Sequence, residues 1–116
     1  MLSIKRIYQD ADKSDGYRVL VDRLWPRGVS KQRANIDLWL KDIAPTPELR
    51  AWFAHDPKKF KEFSVRYEHE LEQNPSVVQL AKIIDEQKDV TLLYGAKDEQ
   101  HNQAVVLQAY LESHNA

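Results

Sequence analysis

The sequence predicts an α/β fold, a single layered domain in which helices flank a small, mostly parallel sheet. Three observations lead to this prediction. The chain has 116 residues, enough to bury one hydrophobic core. Apolar strand patterns occur in the first 21 residues and again at 89–96. Three helix starts lie between them, and a strand that follows helices in this way implies a parallel crossover connection.

The first strands are predicted from alternating and β-branched apolar residues. In LSIKRIY (2–8), apolar residues alternate with polar ones, which is typical of a half-exposed strand near a sheet edge. Turn-forming residues at 10–16 lead into YRVLV (17–21), whose apolar run indicates a more buried strand. NIDLWLKDIAP (35–45) also alternates, although its flanks suit a helical turn equally well. We interpret it as a strand.

Three helices begin at recognisable capping sequences. Thr46, Asp56 and Asn74 are residue types that accept hydrogen bonds from the first N–H groups of a helix, and each is followed by proline. The helix after Asp56 carries one apolar stripe at helical spacing, which we expect to face the core. The stripe consists of Phe60, Phe63, Tyr67 and Leu71.

The C-terminal part of the chain predicts a buried strand followed by a helix. DVTLLYGA (89–96) is the most convincing buried strand in the sequence. The segment 97–113 then has the apolar pattern of a helix, with Asp98 as its predicted N-cap. In this interpretation His101 and Asn102 lie in the first helical turn, where the pKa of an imidazole tends to fall.

Composition excludes several classes of protein. Lys and Arg number 17 against 18 Asp and Glu, so the net charge of -1 gives no overall attraction to nucleic acid or to an anionic membrane. The absence of cysteine excludes disulfides and thiolate chemistry. We find no nucleotide-binding, acyl-transfer or metal-ligand motif, and hence no indicated metal or cofactor. With no membrane-spanning apolar run, we expect a cytoplasmic protein.

Polar side chains follow two of the predicted strands, in DRLWPRG (22–28) and YGAKDEQHN (94–102). Ligands of open α/β sheets bind at the C-terminal ends of the strands. If the two strands are neighbours, we therefore expect both loops to face one pocket. The predicted ligand-binding residues are Arg23, Trp25, Arg27, Tyr94, Asp98 and Asn102.

These residues have different expected roles. Arg23 and Arg27 would hold an anion, and Trp25 or Trp52 would provide a flat apolar wall. His55 and His101 are the candidate catalytic residues, as general acids or bases. Each has a structural alternative: surface cations for the arginines, packing anchors for the tryptophans, and helix-end residues for the histidines.

Three segments of the chain resemble the YeaO-like branch of the domain-of-unknown-function 488 family: GYRVLVDRLWPRGVSK, DLWLKDIAPTPELRAWFAHDPKKFKEFSVRYEHEL and VTLLYGAKDEQHNQAVVL. The resemblance implies one domain of this type over residues 1–116 and an approximate fold, but no reaction. Other branches carry a Cys-His-Arg motif in the loop after the last strand, where this chain has Gln100, His101 and Asn102. The resemblance therefore implies no thiol chemistry here.

Two functions follow as hypotheses. In the first, a small cytoplasmic protein binds an anionic small molecule, such as a nucleotide or another phosphate compound, between the two loops. In the second, a non-enzymatic module binds nucleic acid or a protein through the basic loop at 22–33, although the near-neutral net charge argues against nucleic acid. The sequence leaves open whether the protein is an enzyme and what its oligomeric state is.

Overall fold

A computed structural model describes residues 1–114 and contains the parallel sheet that the sequence predicts. The strands are β1 (Leu2–Arg6), β2 (Tyr17–Leu20), β3 (Leu38–Trp39) and β4 (Val90–Tyr94). They lie in the order β1-β4-β2-β3, and every pair is parallel. All four carboxyl ends therefore lie at one edge of the sheet, which we call the carboxyl edge.

The positions of the strands in the sheet match their sequence patterns. The half-exposed β1 is an edge strand, whereas β4 is buried along its whole length between β1 and β2. Leu20 of β2 pairs with Leu93 of β4. The two strands whose loops were predicted to face one pocket are thus neighbours.

The strand prediction for 35–45 is confirmed only for Leu38–Trp39. This short strand pairs with β2 alone, at the sheet edge. The chain then turns at once into a 3-10 turn at Lys41–Ile43, which ends the ladder. Both interpretations of this ambiguous segment therefore describe a part of it.

The helices are α1 (Lys31–Ala34), α2 (Pro47–Phe53), α3 (Phe60–Glu72), α4 (Ser76–Glu86) and α5 (Gln103–His114). The side chains of Thr46, Asp56 and Asn74 each accept a hydrogen bond from a backbone N–H two or three residues further on. The predicted start after Thr46 is confirmed, whereas α4 begins at Ser76, one residue later than predicted. A 3-10 turn at Pro57–Lys59 separates Asp56 from α3. The single-turn α1 was not predicted, because four residues are too short to show a helical period.

The predicted start of the last helix is wrong. The Oδ1 of Asp98 accepts hydrogen bonds from the N–H groups of Gln100 and His101, but this turn ends before α5 begins. The true cap is Asn102, whose Oδ1 accepts from Val105 N–H at 3.1 Å. Two capping residues compete here, and Asn102 also donates from Nδ2 to the Asp98 carbonyl. His101 and Asn102 consequently precede the first helical turn.

The sheet divides the hydrophobic core into two parts. On one face, apolar residues of β2 and β4 pack against α2, α3, α4 and α5. The opposite face is covered by a smaller cluster that includes Leu20, Leu93, Val29, Trp25 and Trp39. The segment from 25 to 34 therefore serves as the cover of this second face. None of the helices within residues 1–114 is long and apolar enough to cross a membrane.

Candidate functional site

A pocket of about 200 Å³ lies at the carboxyl edge, where β2 and β4 end side by side. Its polar lining consists of Asp22, Arg23, Arg50, His55 and Gln103. Its apolar wall includes Leu24, Phe53 and Phe63. The pocket thus lies in the region predicted from the two loops, but α2 and the start of α5 supply much of its lining.

Asp22 connects three elements around this pocket. It follows β2 closely, and its Oδ2 accepts a hydrogen bond of 2.8 Å from the Gly95 N–H, just after β4. Its Oδ1 accepts from the Nε2 of Gln103 at the start of α5. Burial raises the pKa of Asp22 to about 6, since these two hydrogen bonds and the attraction of Arg50 offset only part of the lost hydration. A carboxyl group that titrates close to neutral pH therefore lines the pocket.

Gly95 permits the close approach of the Asp22 carboxylate. A Cβ atom at position 95 would lie 3.0 Å from Oδ2 of Asp22, which is tighter than ordinary van der Waals contact. A glycine at this position lets the carboxylate reach the backbone N–H directly. Gly95, which follows β4, therefore contributes to the site because it has no side chain.

Arg23 lies in the pocket wall, but backbone carbonyls already engage it. Its guanidinium donates to the carbonyl of Ala44 at 3.1 Å and to that of Pro45 at 3.3 Å. The exposed carboxylate of Asp42 lies 4.0 Å from Nη1. Arg23 therefore holds the segment that precedes α2 and has few donors left for a ligand.

Arg50 differs from Arg23 in having no such partners. It lies on α2 and lines the pocket, where its positive charge attracts the Asp22 carboxylate. Within residues 1–114 its guanidinium makes no hydrogen bond or ion pair. Arg50 is exposed, and unlike Arg23 it has all of its side-chain donors available to an anion.

His55 reaches the pocket through an unusual turn at the end of α2. Ala54 and His55 both adopt left-handed backbone conformations, with φ angles of 47° and 57°. Such conformations in residues other than glycine cost about 1–3 kcal/mol each. The imidazole is exposed and lies 6.3 Å from the Phe53 ring, measured between centroids. The predicted catalytic residue His55 is thus in the pocket lining.

The aromatic and basic residues further along the 22–33 loop lie elsewhere. The Trp25 Nε1–H donates to the Val29 carbonyl at 2.7 Å, and its ring packs edge-on against Trp39 at 5.3 Å. Arg27 is exposed and does not line the pocket, and its carbonyl accepts from the Tyr8 hydroxyl. The structure therefore does not bring Trp25 and Arg27 together with Arg23 around one cavity. The chain crosses to the second face of the sheet between Arg23 and Trp25.

Trp52, the other predicted apolar wall, also lies outside the pocket lining. The Arg66 guanidinium lies 4.3 Å from the centroid of its ring, and Lys59 Nζ lies 5.2 Å away. Lys59 also donates to the Trp52 carbonyl. Trp52 thus joins α2 to α3 through cation–π contacts.

His101 and the other residues predicted after β4 form a separate cluster. The Nδ1 of His101 lies 2.9 Å from Oδ2 of Asp98, and its ring packs edge-on against Phe60 at 5.1 Å. Hydrogen bonds from the Gln100 N–H and from His101 lower the pKa of Asp98. Asn102 and Tyr94 are buried, and burial raises the pKa of the Tyr94 hydroxyl. None of these predicted site residues lines the pocket.

Two of the predicted site residues, Arg23 and His55, therefore line the pocket, and three of its polar residues were missed. Asp22 had a usable signal, because an acidic residue directly after a buried strand lies at a typical ligand-binding position. Arg50 and Gln103 had none, since each is one of many polar residues on a helix surface. Within the described part of the chain, no three His, Asp or Glu side chains lie close enough to hold a metal ion.

Comparison with known proteins identifies relatives over most of the chain. A family model, DUF488-N3i, described as the inactive DUF488-N3 subclade, matches residues 1–116. The uncharacterised protein YeaO of Escherichia coli is 41% identical over 112 residues, which cover 97% of both chains. An uncharacterised protein of Mycobacterium tuberculosis is 45% identical over 80 residues, or 69% of this chain and 68% of the relative. No solved structure matches.

Proposed function

Because the chain belongs to the DUF488-N3i family, whose description is that of an inactive subclade, we propose that it is a binding protein for a small organic anion. The ligand occupies the pocket at the carboxyl edge. Arg50 holds its anionic group, while Phe53 and Phe63 contact its apolar part. Membership of an inactive subclade supports binding over catalysis. Asp22 and His55 are the proton-transfer groups of the pocket lining.

The unpartnered guanidinium of Arg50 beside an apolar wall is the observation on which the proposal rests. Ligand pockets are mostly apolar and contain a few polar groups that fix the orientation of the ligand. With Arg23 and Arg50 charged and Asp22 ionised, the charged lining carries a net positive charge at neutral pH even when His55 is neutral. An anion therefore improves the charge balance of the pocket.

The size of the pocket favours a small ligand. Its volume of about 200 Å³ lies below the roughly 300–1,000 Å³ of pockets that enclose drug-sized molecules. A short carboxylate or a small phosphate compound fits this space better than a nucleotide does. We therefore narrow the ligand class predicted from the sequence to small anions.

The competing function, binding of nucleic acid or protein through the basic loop at 22–33, receives less support. Base stacking needs an accessible aromatic face, but Trp25 packs against Trp39 and is anchored to Val29. Arg33 donates to the Tyr8 carbonyl. The exposed Arg27 and Lys31 remain as a small basic surface on this loop.

Titration of the ¹⁵N-labelled protein with inorganic phosphate and with propionate tests the proposal. We expect shift changes at Gly95 and around Arg50, and Arg50→Gln should weaken binding by about tenfold or more because a charged hydrogen bond is lost. Arg27→Gln, which removes an exposed guanidinium outside the pocket, is the matched control and should leave affinity unchanged. Binding that depends on Arg27 and not on Arg50 would instead support the basic loop.

A further inference from the structure

We infer that the pocket selects a small carboxylate with a hydrogen-bond donor on the adjacent carbon, as in a 2-amino or a 2-hydroxy acid. The donor, an ammonium or a hydroxyl group, binds Asp22, and the carboxylate of the ligand binds Arg50. This inference rests on the proposed function and names the ligand class of the same pocket.

Asp22 has unused acceptor capacity in the pocket. The protein supplies one hydrogen bond to each carboxylate oxygen, from the Gly95 N–H and from the side chain of Gln103. An ionised carboxylate accepts about four hydrogen bonds. Asp22 is half-buried and lines the pocket, so its remaining acceptor sites are available to a ligand.

The charge of Asp22 is also incompletely compensated. Neither of its hydrogen-bond donors is charged, and within residues 1–114 no cation forms an ion pair with it. Arg50 attracts it only from a distance, and this attraction is weaker than the effect of desolvation. A half-buried carboxylate in this state gains from a charged or polar donor.

A ligand with only an anionic group would bind Arg50 but would leave the acceptor sites of Asp22 unused. Such a ligand brings negative charge next to Asp22, and the repulsion opposes the attraction of Arg50. A ligand that also carries an ammonium or hydroxyl group can bind both Asp22 and Arg50. The opposite charges of Asp22 and Arg50 thus favour a bifunctional molecule and set its orientation.

The apolar wall accommodates the rest of such a ligand. The rings of Phe53 and Phe63 stack with their centroids 4.2 Å apart, and Leu24, which is 59% exposed, lies at the same pocket. Exposure of a large aliphatic side chain beside a pocket leaves apolar surface for a ligand to cover. A short aliphatic side chain on the ligand would contact this wall.

Three probes of equal carbon number test the inference: L-alanine, L-lactate and propionate. They share a carboxylate and differ only in the ammonium, hydroxyl or hydrogen on the adjacent carbon. Calorimetry or NMR titration of the wild-type protein should show L-alanine and L-lactate binding about tenfold or more tightly than propionate. The branched trio of L-valine, L-2-hydroxyisovalerate and isovalerate should keep this order and bind more tightly overall.

Asp22→Asn separates this inference from the proposed function. The variant should weaken L-alanine binding by about tenfold or more and should leave propionate binding unchanged or stronger, because the repulsion is removed. Asp85→Asn, an exposed residue on α4, is the control and should change neither. Thermal unfolding checks that both variants fold. The comparison of L-alanine, L-lactate and propionate on the wild-type protein does not depend on the folding of any variant.

The outcomes are distinct. Equal affinity for L-alanine, L-lactate and propionate, lost in Arg50→Gln, would overturn the inference and leave the anion site standing. Failure of every probe, inorganic phosphate included, to bind the wild-type protein would overturn both proposals.

Discussion

Asp15 and Asp22 lie near opposite ends of β2, and burial acts on both, yet their pKa values move in opposite directions. Burial alone would raise the pKa of Asp15, but the Asp12 N–H, the Lys5 ammonium and the Arg18 guanidinium together lower it. Lys5 Nζ lies 3.1 Å from the Asp15 carboxylate, and Arg18 contacts it directly. At Asp22, which has only uncharged donors, burial prevails and the pKa rises.

The difference separates a structural carboxylate from a candidate functional one. Asp15 and Arg18 are both buried and have their charges paired within the protein, at the amino end of β2. Such a network serves the fold and leaves nothing for a ligand to satisfy. Asp22 keeps unmet charge and open acceptor sites at the carboxyl edge, which is the expected position of a ligand site in a parallel sheet.

Asp15→Ala should produce the largest loss of stability. The variant leaves the buried Arg18 guanidinium without its anion, and removal of one partner of a buried ion pair costs about 3–5 kcal/mol. Urea denaturation measures this change in the free energy of unfolding. The exposed Asp85→Ala is the control, with an expected change within about 0.5 kcal/mol. If Asp15→Ala lowers the free energy of unfolding no more than the control does, Asp15 is not a structural carboxylate of the kind that distinguishes it from Asp22.

The pH dependence of stability should differ between the wild type and Asp22→Asn. The pKa of about 6 in the folded state exceeds the roughly 3.9 expected in the unfolded chain, so the folded state binds more protons between these values. As pH rises from about 4 to 6, the wild type should therefore lose up to about 2–3 kcal/mol relative to the variant, and the difference should then level off.

Urea denaturation at a series of pH values measures this effect. The charged or titratable groups around Asp22 are Arg23, Arg50 and His55 in the pocket and Tyr67 on α3. All four are present in both proteins, so the difference between the two curves isolates Asp22. Parallel curves from pH 4 to 7 would show that the folded protein does not perturb this carboxyl group.

Of these variants, Gln103→Met should have the smallest effect on stability, and it should raise the pKa of Asp22 further above that of Asp15. The variant removes one of the two hydrogen bonds to the Asp22 carboxylate, at a cost of about 0.5–1.5 kcal/mol. Because that hydrogen bond favours the ionised form, the pKa of Asp22 should rise further. Carboxyl ¹³C NMR follows the titration, with Gln79→Met on the exposed side of α4 as the control. An unchanged Asp22 titration would exclude Gln103 as a significant donor.

Much of the fold could be predicted because its signals are local. Proline beside Thr46, Asp56 and Asn74 marks helix starts within a few residues, and the β-branched run in β2 marks a buried strand. The family predicted from three sequence segments is confirmed by the match over residues 1–116. The start of α5 was misplaced because Asp98 and Asn102 both have capping chemistry, and only tertiary contacts decide between them.

The pocket was harder to predict because its residues come from separate elements. Sequence reasoning located the carboxyl edge and included Arg23 and His55, but no local pattern brings Arg50 and Gln103 to Asp22. The chain passes to the second face of the sheet before Trp25, where Trp25 packs against Trp39, a residue distant in sequence. Charge and aromatic content alone therefore could not separate Arg27 from the pocket.

The order of the strands also affects how the protein folds during its synthesis. β1 and β2 are synthesised early, but the strand that lies between them, β4, begins only at Val90. Until β4 has been synthesised, the edges of β1 and β2 that pair with it stay unpaired. Such a topology slows folding and exposes the chain to aggregation. Asp22 meets its two hydrogen-bond donors only once Gly95 and Gln103 have left the ribosome. The pocket at the carboxyl edge therefore cannot form on a nascent chain that stops short of α5.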